Sequence, residues 1–156
     1  WYRKSAKQGE ANAQYNLAMM YTNGDSLPQS FAKATKWYHK AAEQGNAKAQ
    51  SNLGNLYDEG KGVDQDYFEA AKWYRKAAEQ GDAGAQSNLG TMYTLGRGVE
   101  KNLIQAYAWM SLAAAHGNKN AETNKNIVSD EMSPQQLATA QTLAVKCLKS
   151  GYRDCD

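Results

Sequence analysis

Apolar residues recur along the chain at helical spacing. Between residues 47 and 59 the positions Ala49, Leu53, Leu56 and Tyr57 step by three or four, which predicts an amphipathic helix, and Gly60 and Gly62 interrupt the pattern. A second run, Phe68, Ala71, Trp73, Ala77 and Ala78, predicts a following helix closed by Gly81, a residue that readily takes the left-handed conformation ending many helices. We denote these helix A and helix B. Polar residues mark where each begins. Asn46, Asp82 and Asn118 stand at the starts of A helices, while Ser30, Asp66 and Asn102 stand at the starts of B helices. Glu69 and Gln105 follow three residues later, spaced to complete capping boxes. The predicted unit is therefore a helix hairpin.

That unit repeats. Trp1, Trp37, Trp73 and Trp109 are spaced by 36 residues, and the same shift aligns Gly9, Gly45, Gly81 and Gly117, then Leu17, Leu53 and Leu89, then Tyr21, Tyr57 and Tyr93. One hairpin cannot bury both of its apolar faces, so consecutive units must stack. The expected fold class is all-α: an α-solenoid, wound as a right-handed superhelix, with a 36-residue repeat. Ala13, Ala49 and Ala85, together with Ala6, Ala42 and Ala78, leave room for neighbouring backbones to approach. The chain parses into one domain: a partial repeat (helix B) over 1–9, full repeats over 10–45, 46–81 and 82–117, and C-terminal capping helices and tail over 118–156.

Opening inside a helix B, the chain reads as a fragment of a longer one. Lys125, Asn126 and Ser129 replace the expected Leu, Gly and Tyr, so the fourth unit reads as a cap. Ser133-Pro134 then starts a last helix whose buried stripe is expected to be Leu137, Ala140, Ala144, Cys147 and Leu148. In the first repeat Ser26 and Pro28 depart from the pattern, so its loop between helices A and B is expected to differ from the other two.

Composition narrows the function classes. The 156 residues suffice for one domain of ordinary size. Eighteen basic residues against 16 acidic ones give a formal charge of +2, without basic clusters, which argues against a nucleic-acid partner. No apolar run approaches the roughly 20 residues of a membrane helix, so no integral membrane segment is expected in this fragment. A monomer is the favoured state.

Candidate chemistry can be weighed against the repeat itself, since a residue with a unique role should not occupy a slot filled by ordinary residues elsewhere. His39 aligns with Arg3 and Arg75, and His116 with Gln8, Gln44 and Gln80, so both read as solvated helix residues. No metal site and no cofactor are expected, because neither histidine has ligand spacing. Ser30-Phe31-Ala32-Lys33 matches the Ser-x-x-Lys of penicillin-recognising serine enzymes, but Ser30 falls in the N-cap column and no Lys-Thr-Gly segment exists. Gly60-Lys61-Gly62 and Gly96-Arg97-Gly98 read as turns rather than phosphate loops. No catalytic residue is assigned. Cys147 and Cys155 flank Gly151, which would let the tail double back to form a disulfide. A buried Cys147 with a free thiol at Cys155 is the alternative, and spacing leaves both open.

The segments WYHKAAEQGNAKAQSNLGNLYDEGKGV and WYRKAAEQGDAGAQSNLGTMYTLGRGV resemble consecutive Sel-1-like repeats, relatives of the tetratricopeptide repeats. AYAWMSLAAAHGN followed by MSPQQLATAQTLA resembles the closing segment of bacterial members. The resemblance implies a non-enzymatic scaffold that assembles proteins in the bacterial envelope, in secretion or in signalling. It favours a periplasmic or secreted location over a cytoplasmic one, and with it the disulfide. It also implies that helix A lines the concave surface. At about 100° per residue, the stripe facing away from the core reads Asn12, Asn16, Met19 and Asn23, then Lys48, Asn52, Asn55 and Glu59, then Gly84, Asn88, Thr91 and Leu95. An asparagine both donates and accepts, so the column Asn16, Asn52, Asn88 could hold the backbone of an extended peptide or partner protein. The same column could equally bind neighbouring scaffold. Two other readings compete: a cell-wall glycan binder using tyrosines such as Tyr15 or Tyr67, and a penicillin-recognising hydrolase.

Overall fold

A computed structural model describes residue 6 and residues 9–155. Trp1, Arg3, Gln8 and most of the partial helix B over 1–9 lie outside the described residues, although Ala6 is helical and buried. Among the described residues there are eight bounded helices and no strand: α1 (Ala11–Asn23), α2 (Phe31–Glu43), α3 (Ala47–Glu59), α4 (Tyr67–Ala78), α5 (Ala83–Leu95), α6 (Leu103–Ala115), α7 (Lys119–Asp130) and α8 (Pro134–Lys149). The odd-numbered helices are A helices, and α2, α4 and α6 are B helices. The protein is all-α.

The helix ends follow from local chemistry. The side chains of Asn46, Asp82 and Asn118 accept from the backbone N–H groups of Ala49, Ala85 and Ala121 at 2.9, 2.8 and 3.0 Å, satisfying donors that a helix start leaves unpaired. Ser30, Asp66 and Asn102 do the same for the B helices. The expected capping boxes differ: the Glu69 carboxylate takes the Lys72 ammonium at 2.8 Å, and Gln105 is buried with its Oε1 unpaired. The reciprocal box occurs instead at Ser133 and Gln136, at the start of α8.

The loop of the first repeat differs less than expected: among the described residues it lacks a counterpart of the backbone bonds from Lys61 to Leu56 and from Arg97 to Met92, at 3.0 and 3.1 Å, but keeps the same turn conformation. Ser26 has φ 61°, in the same left-handed region as Gly62 (74°) and Gly98 (66°). The closing bonds also match, with Ser30, Asp66 and Asn102 donating to the carbonyls of Tyr21, Tyr57 and Tyr93 at 2.9 to 3.0 Å. Those bonds fix the turn, and Ser26 takes the glycine conformation because the turn requires it.

Two compact units divide the chain, one over Trp1–Trp73 and one over Tyr74–Asp156. In the first, Ala34, Tyr38, Ala41, Ala42, Ala49, Leu53, Leu56 and Trp73 form a core against which Met19, Phe31 and Tyr57 pack. In the second, α6 is central and packs against α5, α7 and α8. Its buried side chains include Leu89, Trp109, Met110 and Val128. A Cβ at Gly90 would lie 2.7 Å from Met110 Cγ and 3.1 Å from the Ala106 carbonyl oxygen, so glycine is what permits α5 and α6 to approach so closely.

Several expected core positions are exposed. Phe68 is 68% exposed, because at the second position of α4 it projects beyond the packed face. Leu148 is 50% exposed, and Leu137 and Ala144 are half-buried, so the fully buried part of the α8 stripe is Ala140 and Cys147. The chain turns back after α8, places Cys155 on Cys147 with their Cα atoms 4.5 Å apart, and thereby covers the Cys147 side of the helix rather than the Leu148 side.

Candidate functional site

A set of buried glutamines, absent from the sequence expectations, holds each hairpin to the next A helix. Gln14, Gln50 and Gln86 are at most 4% exposed, and each donates its Nε2 to a carbonyl eight residues earlier: Ala6, Ala42 and Ala78, at 3.2, 3.0 and 3.1 Å. The same carbonyls accept the N–H groups of Gly9, Gly45 and Gly81. The amide therefore completes the end of a B helix whose last carbonyls lack helical partners. Its signal in the sequence is a polar residue recurring at period 36 beside the apolar Ala13, Ala49 and Ala85.

In the unit over 1–73, helices α1, α2 and α3 leave an open recess of about 230 Å3. Four stripe residues meet there: Met19 from α1, and Asn52, Asn55 and Glu59 from α3. Thr22, Phe31, Tyr38, Leu56 and Lys61 complete its wall. Asn52 Nδ2 donates to the Tyr38 hydroxyl at 3.1 Å and approaches Met19 Sδ at 3.7 Å. Thr22 Oγ1 lies 3.2 Å from that hydroxyl and donates to the Ala18 carbonyl at 3.0 Å. Burial raises the Tyr38 pKa above its ordinary value, against the lowering effect of these two hydrogen bonds, because a phenolate there would lose its hydration. Glu59 pairs with Lys61 at 2.6 Å on the rim. The polar groups of this recess are thus largely tied to one another.

The other stripe residues of this unit lie apart from the recess. Asn12 accepts from Asn46 Nδ2 at 3.0 Å, Asn23 donates to Asp25 at 3.2 Å, Lys48 is exposed and Asn16 is half-buried. In the unit over 74–156, Thr91 and Leu95 border a second recess of about 170 Å3 with Thr94, Met110, Asn124, Ile127 and Val128. Asn88 is half-buried beside it and is not part of its wall. Asn124 extends the Asn16, Asn52, Asn88 column by one further period and was missed because its unit otherwise departs from the repeat.

The side chains weighed for other chemistry take structural places. The Ser30 hydroxyl accepts from the Lys33 backbone N–H at 3.4 Å, and the Lys33 ammonium lies over the Tyr21 ring, so the two do not form a nucleophile and base. His39 is not simply solvated: it packs edge-on to Trp73 at 5.3 Å and faces Glu43 at 3.2 Å. His116, likewise, meets the Tyr152 hydroxyl at 2.9 Å. Tyr15 is half-buried against Tyr38, and Tyr67 is half-buried as well. Gly60 caps α3 in the left-handed conformation, while Gly62 abuts the backbone of Phe31, as turn residues would. Among the described residues no group of three His, Cys, Asp or Glu side chains is placed to hold a metal ion, and no helix is long and apolar enough to cross a membrane.

Comparison with known proteins matches the Sel1 repeat family model four times, over residues 1–10, 11–46, 47–82 and 83–118. No curated protein matches. Among solved structures, the chain is similar to c5321, described as a protective antigen present in uropathogenic Escherichia coli strains displaying an SLR fold. The two share 40% identity with a TM-score of 0.89 over 97% of this chain, which spans 33% of that one. A Sel1 repeat protein from Oxalobacter formigenes is 38% identical with a TM-score of 0.73, over 80% of this chain and 94% of its own. Cysteine rich protein B of Helicobacter pylori is 30% identical with a TM-score of 0.61, over 76% and 90%.

Proposed function

Because the chain belongs to the Sel1 repeat family, an all-α solenoid of helix hairpins whose members are generally protein-interaction scaffolds, we propose that it is non-enzymatic and holds an extended peptide or a partner protein along the concave, A-helix side. The observation that supports this most is that stripe residues of the A helices border an open recess in each unit, Met19, Asn52, Asn55 and Glu59 in the first and Thr91 and Leu95 in the second. Recesses with apolar walls and a few convergent polar groups are the usual form of binding sites. The pairing of Cys147 with Cys155 and the likeness to a protective antigen support a place outside the cytoplasm, in the periplasm or secreted.

Photo-crosslinking in the native cell tests the reading. A photoreactive phenylalanine analogue at Asn55 or Thr91 should capture a discrete partner, whereas the same analogue at Lys36 or Lys72, exposed on B helices, should not. Capture from the B-helix positions, with none from the A-helix positions, would place the partner on the other face and defeat the proposal.

A further inference from the structure

Two periods, 72 residues, relate the two recesses position by position: Met19 to Thr91, Thr22 to Thr94, Asn52 to Asn124, Asn55 to Ile127 and Leu56 to Val128. Their polar groups nevertheless differ in state. In the first recess the Asn52 amide is tied to the Tyr38 hydroxyl, and Glu59 is neutralised by Lys61. The corresponding partners in the second unit are Met110, which has no hydroxyl, and Ser133, which has no charge. Asn124 is half-buried and makes no side-chain hydrogen bond among the described residues, and Glu131 has no ion pair among them. Glu131 also caps the C-terminal end of α7 beside Asp130, where the helix dipole disfavours negative charge. Asn124 borders the recess with Ile127 and Leu95, 57% and 52% exposed, over buried Met110 and Val128, and Glu131 is solvent-exposed outside its wall. The Thr91 and Thr94 hydroxyls are spent on their own helix, donating to the carbonyls of Ser87 and Gly90.

We infer that the recess of the second unit binds an extended peptide carrying one apolar side chain and one basic side chain. This rests on the groove reading proposed above and names the ligand class. Asn124 offers a donor and an acceptor together, which suits the C=O and N–H of one peptide residue. The recess volume of about 170 Å3 is close to the ~150 Å3 that accepts a benzene ring, so leucine, methionine or phenylalanine fits. Glu131 lies one helical turn beyond Ile127, roughly 5–6 Å along the same face. An extended chain rises about 3.3 Å per residue and returns to the same side every second residue. The recognised pattern is therefore an apolar residue and a Lys or Arg separated by one position, in either order, with the base drawn to the uncompensated carboxylate.

The probe is a display library of random hexapeptides panned on the full chain, followed by fluorescence anisotropy with synthetic copies of the selected peptides. Expected is enrichment of the apolar-x-basic pattern. Ile127→Asp should weaken binding about tenfold or more, and Asn124→Ala about tenfold. Glu131→Lys should weaken it, and a peptide with its basic residue changed to Glu should recover affinity for that variant. The double variant Met110→Tyr/Ser133→Lys, which supplies the partners found in the first recess, should lose binding while keeping its helical circular dichroism. If selected peptides ignore Ile127→Asp and Glu131→Lys but respond to Asn55→Asp, this inference fails and the groove reading stands. A preference for acidic peptides also overturns it. If the folded chain selects no peptide at all, both fail.

Discussion

Exchanging Ser26 for glycine and Gly62 for serine alters one position in two equivalent turns, and the two changes should move stability in opposite directions. Both residues have left-handed backbones, with φ 61° and 74°. A residue bearing a Cβ is disfavoured there by about 1–2 kcal/mol. Glycine relieves that strain but gives the unfolded chain more freedom, worth about 0.4–1 kcal/mol. Ser26→Gly should therefore stabilise by about 0.5–1 kcal/mol. Gly62→Ser meets the same backbone cost and a second one. A Cβ at 62 would lie 2.3 Å from the Phe31 carbonyl carbon and 2.6 Å from the Ala32 nitrogen, both backbone atoms at the start of α2 that cannot swing aside. Overpacking of this kind costs about 1–3 kcal/mol, so the total is roughly 2–5 kcal/mol. With about 2–4 °C of Tm for each kcal/mol at this chain size, thermal melts followed by circular dichroism should rise about 1–4 °C for Ser26→Gly and fall by about 4 °C or more for Gly62→Ser. A Gly62→Ser protein melting with the wild type, or a Ser26→Gly protein melting lower, would refute the claim that the turn imposes this conformation on both residues.

Ala85 is fully buried, so Ala85→Leu should destabilise by about 1–3 kcal/mol in a urea titration. Lys61→Ala, at an exposed ion pair, should change the midpoint little. Reducing the Cys147–Cys155 pair should lower the stability of the C-terminal segment by about 2.5 kcal/mol for so short a loop, read as faster amide exchange around residues 147–155 in dithiothreitol with no change in α1. The raised pKa of Tyr38 means the folded state holds that proton more tightly than the unfolded state. Its contribution is complete below about pH 10 and is lost as pH rises beyond that value. Tyr38→Phe should accordingly flatten the alkaline fall in Tm above about pH 10, and an unchanged profile would show that other groups cause it.

The backbone was legible because the determinants of helix ends are local. The segment from 47 to 59 coincides with α3, and its Asn46 cap and Gly60 terminus act through hydrogen bonds spanning at most five residues. What escaped depends on the partners a residue meets in three dimensions. Phe68 and Leu148 satisfy a helical apolar pattern, yet stand outside the packed face because of where neighbouring elements end. His39 shares a column with Arg3 and Arg75 but acquires Trp73 as a neighbour. The buried glutamines break the apolar stripe on paper, and become reasonable when the carbonyl at the end of the preceding helix is seen beside them.

The same dependence explains why the asparagine column could not by itself separate scaffold from site. Asn52 and Asn124 occupy one register and one type of helix, so any argument from spacing or composition treats them alike. What distinguishes them is the residue fourteen positions earlier: Tyr38 satisfies the Asn52 amide, whereas Met110 leaves the Asn124 amide without a hydroxyl to meet. Lys61 likewise answers Glu59 while Ser133 cannot answer Glu131, but this pair does not recur, since Leu95 and Arg97 stand in its place in the intervening repeat, whereas Tyr38 and Asn52 recur as Tyr74 and Asn88. A half-buried polar group without a partner is costly, so Asn124, beside exposed Ile127 and Leu95, carries a cost that a ligand of matching chemistry removes, while the exposed Glu131 adds an unpaired charge that a basic group can meet. In a repeat protein the scaffold is therefore marked by residue pairs that recur together. A binding site is marked where one member of a pair persists after the other has been replaced.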